Sequence, residues 1–301
     1  MTHVSKGGAV AVRRQGPSPL LALPALIFFG VFAIIPLFVA LYLSFTKWSG
    51  LGSPTWVGFD NWGTLFSTPD TFRSFGLTLL LMGLSWVFQT PISILLGVFL
   101  SGHQRYREIF AVIYFVPLLL SSAAIGIAFR NLLDPNFGLF ASPGLEWLNL
   151  GWLGNPDLAF YAIVFIISWQ FIPFHTLLYQ GGARQVPQSL YEAAALDGAG
   201  RMAQFFSITL PQLRYTIVTS TTLMLIGALT YFDIIFILTQ GGPGDATRIL
   251  PVDMYLTGFV GNQMGLASTI AIVLVLFGML VSLTISKLSG FTRMESQLDG
   301  E

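Results

Sequence analysis

The sequence contains no cysteine and carries very little charge for its length. Without cysteine the chain can form no disulfide, no thiolate metal site and no cysteine nucleophile. Only 9% of its 301 residues are charged, whereas soluble domains average about 25%. The chain therefore has too few charged residues to cover the surface of a water-soluble protein. The 14 basic and 14 acidic residues cancel, which leaves no basic field for nucleic acid. The three histidines are too few and too scattered for a metal site and are His3, His103 and His175.

Motifs of the common enzyme classes are also missing. No lysine follows a glycine, so there is no phosphate-binding P-loop, and neither His-Glu-x-x-His nor Gly-x-Ser-x-Gly occurs. Residues 242–245 match the Gly-x-Gly-Asp signature of intramembrane aspartyl proteases, but that chemistry needs two facing carboxylates. Asp245 lies in a Gly/Pro turn outside the apolar segments, and Asp233 is the only acid inside one. We therefore predict that the chain is not an enzyme and binds no metal and no cofactor itself.

Apolar sequence, in contrast, is abundant, since 54% of the residues are hydrophobic. A membrane-spanning helix needs about 20 mostly apolar residues. The first apolar run is much longer than the roughly 7–15 apolar residues of a cleaved signal peptide, so we expect a permanent helix there. The composition predicts an all-α integral membrane protein with six transmembrane helices, near residues 20–45, 76–100, 109–131, 158–180, 215–238 and 264–287.

The distribution of lysine and arginine predicts the orientation of these helices. With six spans, both ends of the chain lie on the same side of the membrane. Ten of the 14 lysines and arginines fall on that side and four on the other, and basic loops remain cytoplasmic. We therefore expect both termini in the cytoplasm, with polar tails at residues 1–18 and 288–301 and a six-helix domain at residues 19–287.

The cytoplasmic segment between the fourth and fifth spans, about residues 181–213, is unusually long for a connection between helices. Ser189 and Glu192 have the spacing of a capping box, which predicts a short helix over residues 190–197. Gly198 can supply a left-handed ending for that helix. We call residues 181–213 the coupling segment below.

A second stretch of the coupling segment, residues 201–209, is predicted to be helical and to end before Pro211. Two interpretations of the segment fit its composition. It could lie on the membrane surface, which accounts for the phenylalanines at 205 and 206. Alternatively, the small face at residues 193–195 could dock into a groove on another protein.

Seven residues of the coupling segment form a pattern of particular residue types at particular spacings. They are Glu192, Ala193, Ala194, Gly198, Ile208, Leu210 and Pro211. This pattern resembles the EAA loop of binding-protein-dependent ABC importer permeases, and residues 192–200 resemble its carbohydrate-uptake branch, the maltose and glycerol-3-phosphate type. Residues 58–62, 155–157 and 232–233 resemble further motifs of that branch. Residues 238–243, Leu-Thr-Gln-Gly-Gly-Pro, resemble the first (maltose-F-like or glycerol-3-phosphate-A-like) of its two permease subunits.

The resemblance implies a type I ABC importer permease fold in the cytoplasmic (inner) membrane of a bacterium or archaeon. It implies that the chain forms half of a heterodimeric pore for a sugar or sugar-like solute. The implied partners are a second permease subunit of the same family, two copies of an ATP-binding subunit, an extracytoplasmic solute-binding protein and membrane lipid. ATP and Mg would be bound by the ATPase subunits alone, and nucleic acid is not an expected partner.

The resemblance also implies which residues couple the pore to the ATPase. Glu192 would pair with a basic group of the ATPase, and Leu210 and Pro211 would relay motion into the fifth span. The full set of predicted coupling residues is Glu192, Ala193, Ala194, Asp197, Gly198, Ile208, Leu210 and Pro211.

A predicted substrate pathway runs along the fourth and fifth spans. Polar groups inside a membrane are costly and therefore mark pathways, while aromatic faces suit sugar rings. Small and aromatic residues also serve ordinary helix packing, which is the alternative interpretation. The predicted pathway residues are Gln170, Phe171, Phe174, Met224, Gly227, Ala228 and Tyr231.

Two other functional classes remain open from the residues alone. A secondary transporter or channel would need charged residues in the spans or an inverted repeat, and neither stands out. An intramembrane enzyme would need a second carboxylate near Asp233. We expect Asp233 to be a structural or interfacial acid that could pair with Arg130, and His175 to be a packed helix residue.

Overall fold

The computed structural model describes residues 19–102 and 104–289. The predicted N-terminal tail at 1–18, and all of the predicted tail at 288–301 except its first two residues, lie outside the described residues. The described chain is predominantly helical, with one two-stranded antiparallel hairpin formed by β1 (Thr46–Lys47) and β2 (Thr55–Trp56). The α-helices are, in chain order, α1 (Leu23–Phe29), α2 (Ile35–Leu43), α3 (Asp60–Ser67), α4 (Pro69–Leu100), α5 (Arg105–Tyr114), α6 (Val116–Leu119), α7 (Ser122–Leu132), α8 (Pro156–Arg184), α9 (Gln188–Leu196), α10 (Arg201–Gln204), α11 (Leu210–Gln212), α12 (Arg214–Ala228), α13 (Asp233–Thr239), α14 (Leu250–Tyr255) and α15 (Met264–Leu288).

Four helical stretches of the described chain are long and apolar enough to cross a membrane. The first, Leu20–Leu43, joins α1 to α2 through a π-helical turn at Gly30–Ile34. The others are α4, α8 and α15. A fifth crossing is obtained if α12 and α13, which meet at a bend of 45°, are taken as one broken span. These segments correspond to five of the six predicted spans.

The predicted third span, residues 109–131, is not one continuous helix. It is divided among α5, α6 and α7, because the helical path breaks at Phe115 and again at Leu120, which adopts an extended backbone with ψ of 145°. Ser121 then caps α7, its hydroxyl oxygen accepting the N–H of Ala124 at 3.2 Å. Six helical spans are therefore not established by the described residues.

The central contact of the bundle is between α4 and α8. Gly97 permits this close approach, since a Cβ there would lie 2.6 Å from the Cβ of Tyr179. Polar side chains continue along the same interface, where Gln89 Nε2 donates to Ser168 Oγ at 3.4 Å. The main apolar core, built around Ile163, Ile166 and Ile167 of α8, fills the space towards α7, α13 and α14. The helix α8 is thus the buried axis of the fold.

The first helix of the coupling segment is not capped as predicted. Helix α9 begins at Gln188 with Pro187 as its N-cap, and no side chain caps it. The predicted capping box of Ser189 and Glu192 is therefore wrong, because Ser189 already lies inside the helix. Gly198 ends the helix in the left-handed region with φ of 78°, as predicted.

The second stretch of the coupling segment also runs further than predicted. A π-helical turn, Phe205–Thr209, connects α10 to α11, and the helical path continues through Pro211. The break before α12 falls at Leu213. Pro211 is the second residue of α11, directly after the π-helical turn, and does not end the stretch.

Candidate functional site

A cavity of about 390 Å³ opens where α8 faces the bend between α12 and α13. Pro173 lies within α8 at this level, and α12 ends at Ala228 just before the bend. Because the chain changes direction at this bend, α13 does not continue along the axis of α12, and the cavity lies beside the bend. Its lining residues are Leu118, Ser122, Phe171, Phe174, His175, Leu223, Gly227, Thr230, Tyr231, Phe232, Asp233 and Ile234.

Aromatic rings form much of the cavity wall. The rings of Phe171 and Tyr231 pack with their centroids 5.1 Å apart, and this contact joins α8 to the bend. Phe174 meets His175 edge-on at 5.2 Å. Such faces bind apolar surfaces and the C–H faces of ring compounds through dispersion and the ring quadrupole.

Hydrogen-bonding groups stand among these rings. His175 Nδ1 lies 2.8 Å from Ser220 Oγ of α12, and no hydrogen bond to its Nε2 exists among the described residues. Gln170 is buried and its Nε2 donates to Ser122 Oγ, a cavity-lining atom, at 3.0 Å. The site therefore combines aromatic faces with hydroxyl and imidazole groups, which is the usual pattern of a small-molecule pocket.

The predicted pathway residues separate into two groups. Phe171, Phe174, Gly227 and Tyr231 line the cavity, and Gln170 reaches it through Ser122.

Met224 and Ala228 do not line the cavity. Both are buried, Met224 against Thr90 of α4 and Ala228 in a cluster with Met82. They follow the α12 face that packs on α4, whereas the chain turns away from the helix axis after Ala228 and carries Tyr231 to the cavity.

Sequence reasoning missed eight of the twelve lining residues, and four of these eight are polar or charged: Ser122, His175, Thr230 and Asp233. Ser122 is the first residue of α7, Thr230 lies in the bend, and His175 and Asp233 were interpreted as structural groups. A signal for Ser122 existed, because the serine pair at 121–122 interrupts an apolar run and is typical of a helix start. The bend itself has no proline, so periodicity alone could not place Thr230.

The predicted pairing of Asp233 with Arg130 is not found. The ion pairs among the described residues both belong to Arg248, with Asp245 at 3.4 Å and Asp253 at 2.7 Å. Asp245 thus faces a guanidinium and not a second carboxylate, so the Gly-x-Gly-Asp match has no catalytic partner here.

Asp253 is almost fully buried, and burial raises its pKa above the ordinary value. The charge and hydrogen bonds of Arg248 oppose that rise. Arg248 therefore compensates a carboxylate that the fold buries in α14, which is a structural role.

The coupling segment presents an exposed surface. Glu192 and Ala193 of α9 are exposed and Ala194 is half-buried. Large apolar side chains beside them are also open, with Leu196 exposed to 90% and Met202 to 72%. Exposed apolar groups next to acidic side chains are typical of a surface that binds another protein.

The same segment is firmly connected to the bundle. Tyr191 Oη lies 2.9 Å from Thr209 Oγ1, which joins α9 to the π-helical turn. Leu210 packs against the buried cluster of Ile94, Tyr179 and Leu213, which belongs to α4, α8 and the start of α12. These contacts link α9, through the π-helical turn and α11, to the buried ends of α4, α8 and α12. Asp197 and Gly198 are exposed at the end of α9, Ile208 is half-buried and Pro211 is exposed.

Residues 89–289 match the family of binding-protein-dependent transport system inner membrane components. The chain belongs to this family. It is an integral inner membrane permease subunit, and such permeases are not enzymes, because a separate ATPase supplies the hydrolysis of ATP. This outcome sets aside both the intramembrane enzyme and the stand-alone secondary transporter.

Individual relatives support the assignment. The permease is 32% identical over 263 residues to the multiple sugar-binding transport system permease protein MsmF of Streptococcus mutans, covering 86% of this chain and 90% of the relative. It is 32% identical over 275 residues to the trehalose/maltose transport system permease protein MalF of Thermococcus litoralis, with 88% and 90% covered.

A solved structure has the same fold. The permease matches a chain of a bacterial ABC transporter involved in the import of the acidic polysaccharide alginate with a TM-score of 0.78 and 25% identity. The match covers 91% of this chain and 95% of that one. The type I ABC importer permease fold expected from the sequence is therefore confirmed.

Proposed function

We propose that this permease forms one half of a heterodimeric pore that imports a sugar or sugar-like solute, with the cavity between α8 and the α12–α13 bend on the solute path. The observation that carries this proposal is the cavity wall, where the packed rings of Phe171 and Tyr231 stand beside the hydroxyl of Ser122. Aromatic faces with hydrogen-bonding groups suit a sugar ring. Relatives named for sugar and arabinooligosaccharide transport support the same class of solute.

The proposal includes a third crossing made of α5, α6 and α7 and both termini in the cytoplasm. Together these three helices cover residues 105–132, enough chain to cross once with breaks. Backbone breaks at membrane depth are tolerated where protein covers them, and α6 packs on α8. Six crossings result, and the basic residues then keep their cytoplasmic excess.

Coupling to ATP hydrolysis is assigned to the exposed α9. Glu192 would meet a basic group of an ATPase subunit, and Ala193 and Ala194 would permit close seating. Closure of the ATPases would move α9, and the contact between Tyr191 and Thr209 would carry the movement towards α12. This is rigid-body switching of a packed bundle. The same assembly would need an extracytoplasmic binding protein, such as the periplasmic protein in the alginate transporter complex.

The test is affinity purification of the tagged chain from its host in mild detergent, with mass spectrometry of every copurifying subunit. We expect an ATPase, a second permease of the same family and a solute-binding protein. Recovery of the chain alone or as a homodimer, under conditions that preserve a known importer, would contradict the heterodimer.

A further inference from the structure

Asp233 places a negative charge on the cavity wall. It is the first residue of α13, immediately after the bend, and it is exposed. Among the described residues that line the cavity it is the only one with a formal charge at neutral pH other than the titratable His175. No lysine or arginine of the described chain forms an ion pair with it. The described residues that line the cavity therefore give it a net negative charge.

The surroundings of Asp233 strengthen this effect. The neighbouring lining residues Phe232 and Ile234 are apolar, and the facing wall carries Phe171 and Phe174. Apolar walls on one side of a charge leave it less screened than water on all sides would, so its field extends into the cavity. Hydroxyl groups of a neutral sugar can donate hydrogen bonds to such a carboxylate, and an ammonium group is attracted to it. A second carboxylate would be repelled.

We propose that Asp233 makes this half of the pore select an uncharged or amine-bearing sugar and reject sugar acids. The inference rests on the proposed function, namely that the cavity lies on the solute path. The proposed selectivity differs from that expected of the structurally similar transporter, which takes part in the import of an acidic polysaccharide. A shared fold does not carry a shared cargo, because selectivity depends on the side chains of the site.

The absence of cysteine makes a direct test possible. A single Thr230→Cys substitution puts a reporter thiol on the cavity wall three residues from Asp233, and Leu223→Cys does so on the α12 side. The complex that copurifies with the chain is reconstituted in proteoliposomes. The thiol is then treated with cationic, neutral and anionic methanethiosulfonates, each rate being normalised to that of a free small thiol. Ser53→Cys, in the exposed β1–β2 loop, is the control position.

The expected result is a cation-over-anion rate ratio of about tenfold or more at the cavity thiols, the range that focused charge produces, and a ratio close to that of free thiol at Ser53→Cys. Asp233→Asn should lower the cavity ratio at least several-fold without changing the rate of the neutral reagent. A ratio that Asp233→Asn leaves unchanged, or an anionic preference, overturns the proposal while the cavity remains a pathway. Failure of even the neutral reagent at both cavity thiols overturns the pathway as well.

Protection by sugars tests the solute class without the binding protein. Maltotriose, chitotriose with free amines and trigalacturonate are compared, at equal concentration, for slowing the neutral reagent at Thr230→Cys. We expect maltotriose or the amine-bearing trisaccharide to protect and trigalacturonate to protect at least several-fold less, with Asp233→Asn narrowing the difference. Equal or better protection by trigalacturonate overturns the proposed selectivity.

Discussion

His175 Nδ1 lies 2.8 Å from Ser220 Oγ, and this hydrogen bond joins α8 to α12 beside the cavity. Both residues are buried, with 2% and 0% of their surfaces exposed. The hydrogen bond connects α8 to α12, and both helices contribute residues to the cavity wall. It also orients the imidazole, because Nδ1 is held by the serine hydroxyl.

Ser220→Ala should destabilise the permease by removing this interhelical bond. The expected loss is about 1 kcal/mol, typical of one hydrogen bond in a protein interior or between membrane helices. Thermal unfolding in detergent measures it. Thr222→Ala is the matched control, because the Thr222 hydroxyl donates only to Val218 O of its own helix. Equal shifts for the two variants would show that the contact between α8 and α12 adds nothing.

Gly97→Ala should weaken the packing of α4 on α8. The new methyl group would lie 2.6 Å from Tyr179 Cβ and 2.9 Å from the backbone nitrogen of Gln180, so the helices must separate. Overpacking of this kind costs about 1–3 kcal/mol.

Gly83→Ala on the same helix is the control, since nothing lies within 4 Å of a Cβ there. Because alanine favours helix over glycine, this control should be neutral or slightly stabilising. The melting temperatures of the two variants in one detergent give the comparison, and a drop for Gly83→Ala as large as that for Gly97→Ala would contradict the packing account.

Arg248→Gln should make the permease less stable as the pH rises. Burial already raises the pKa of Asp253, and loss of the guanidinium raises it further. A carboxyl group whose folded pKa lies above its unfolded pKa favours the folded state at low pH. That favourable contribution is lost as the pH rises through the folded pKa. The variant should therefore be most impaired at alkaline pH and recover on acidification.

The expected loss for Arg248→Gln at pH 8 is about 1–3 kcal/mol, the cost of an unpaired buried polar group. Melting curves at pH 5 and pH 8 measure it. The double variant Arg248→Gln/Asp253→Asn removes the titrating group, so its stability should differ less between the two pH values. An equal pH dependence in the single and double variants would assign the effect to another group.

Much of the architecture could be predicted from the sequence, because charge gaps and apolar runs mark membrane helices directly. The stretches at Leu20–Leu43, α4, α8 and α15 follow from that signal. The break-up of the third span did not, since its hydropathy is continuous while its backbone is interrupted at Phe115 and Leu120. Hydropathy reports on the solvent that a segment prefers and not on where its helix breaks.

The candidate site could likewise be predicted only in part, because the sequence does not show where α12 ends. Phe171 and Tyr231 could be placed on facing elements from the sequence, and both line the cavity. Met224 and Ala228 share a helical face with Tyr231 only if the helix continues, but α12 ends at Ala228 and the chain bends by 45°. The importance of Asp233 depends on that bend as well, because the bend turns the start of α13 towards the cavity.

In the proposed mechanism, α9 transmits ATP-driven movement to a solute pathway through Glu192. In the reconstituted complex with its binding protein, Glu192→Lys should leave membrane insertion intact and lower ATP-driven uptake of the solute released from that binding protein by about tenfold or more, as expected for reversal of one partner of an interfacial charge pair. Glu108→Lys, the same charge reversal on the exposed surface of α5, is the control and should transport at close to the wild-type rate. Wild-type uptake by Glu192→Lys, at equal protein in the membrane, would contradict the account.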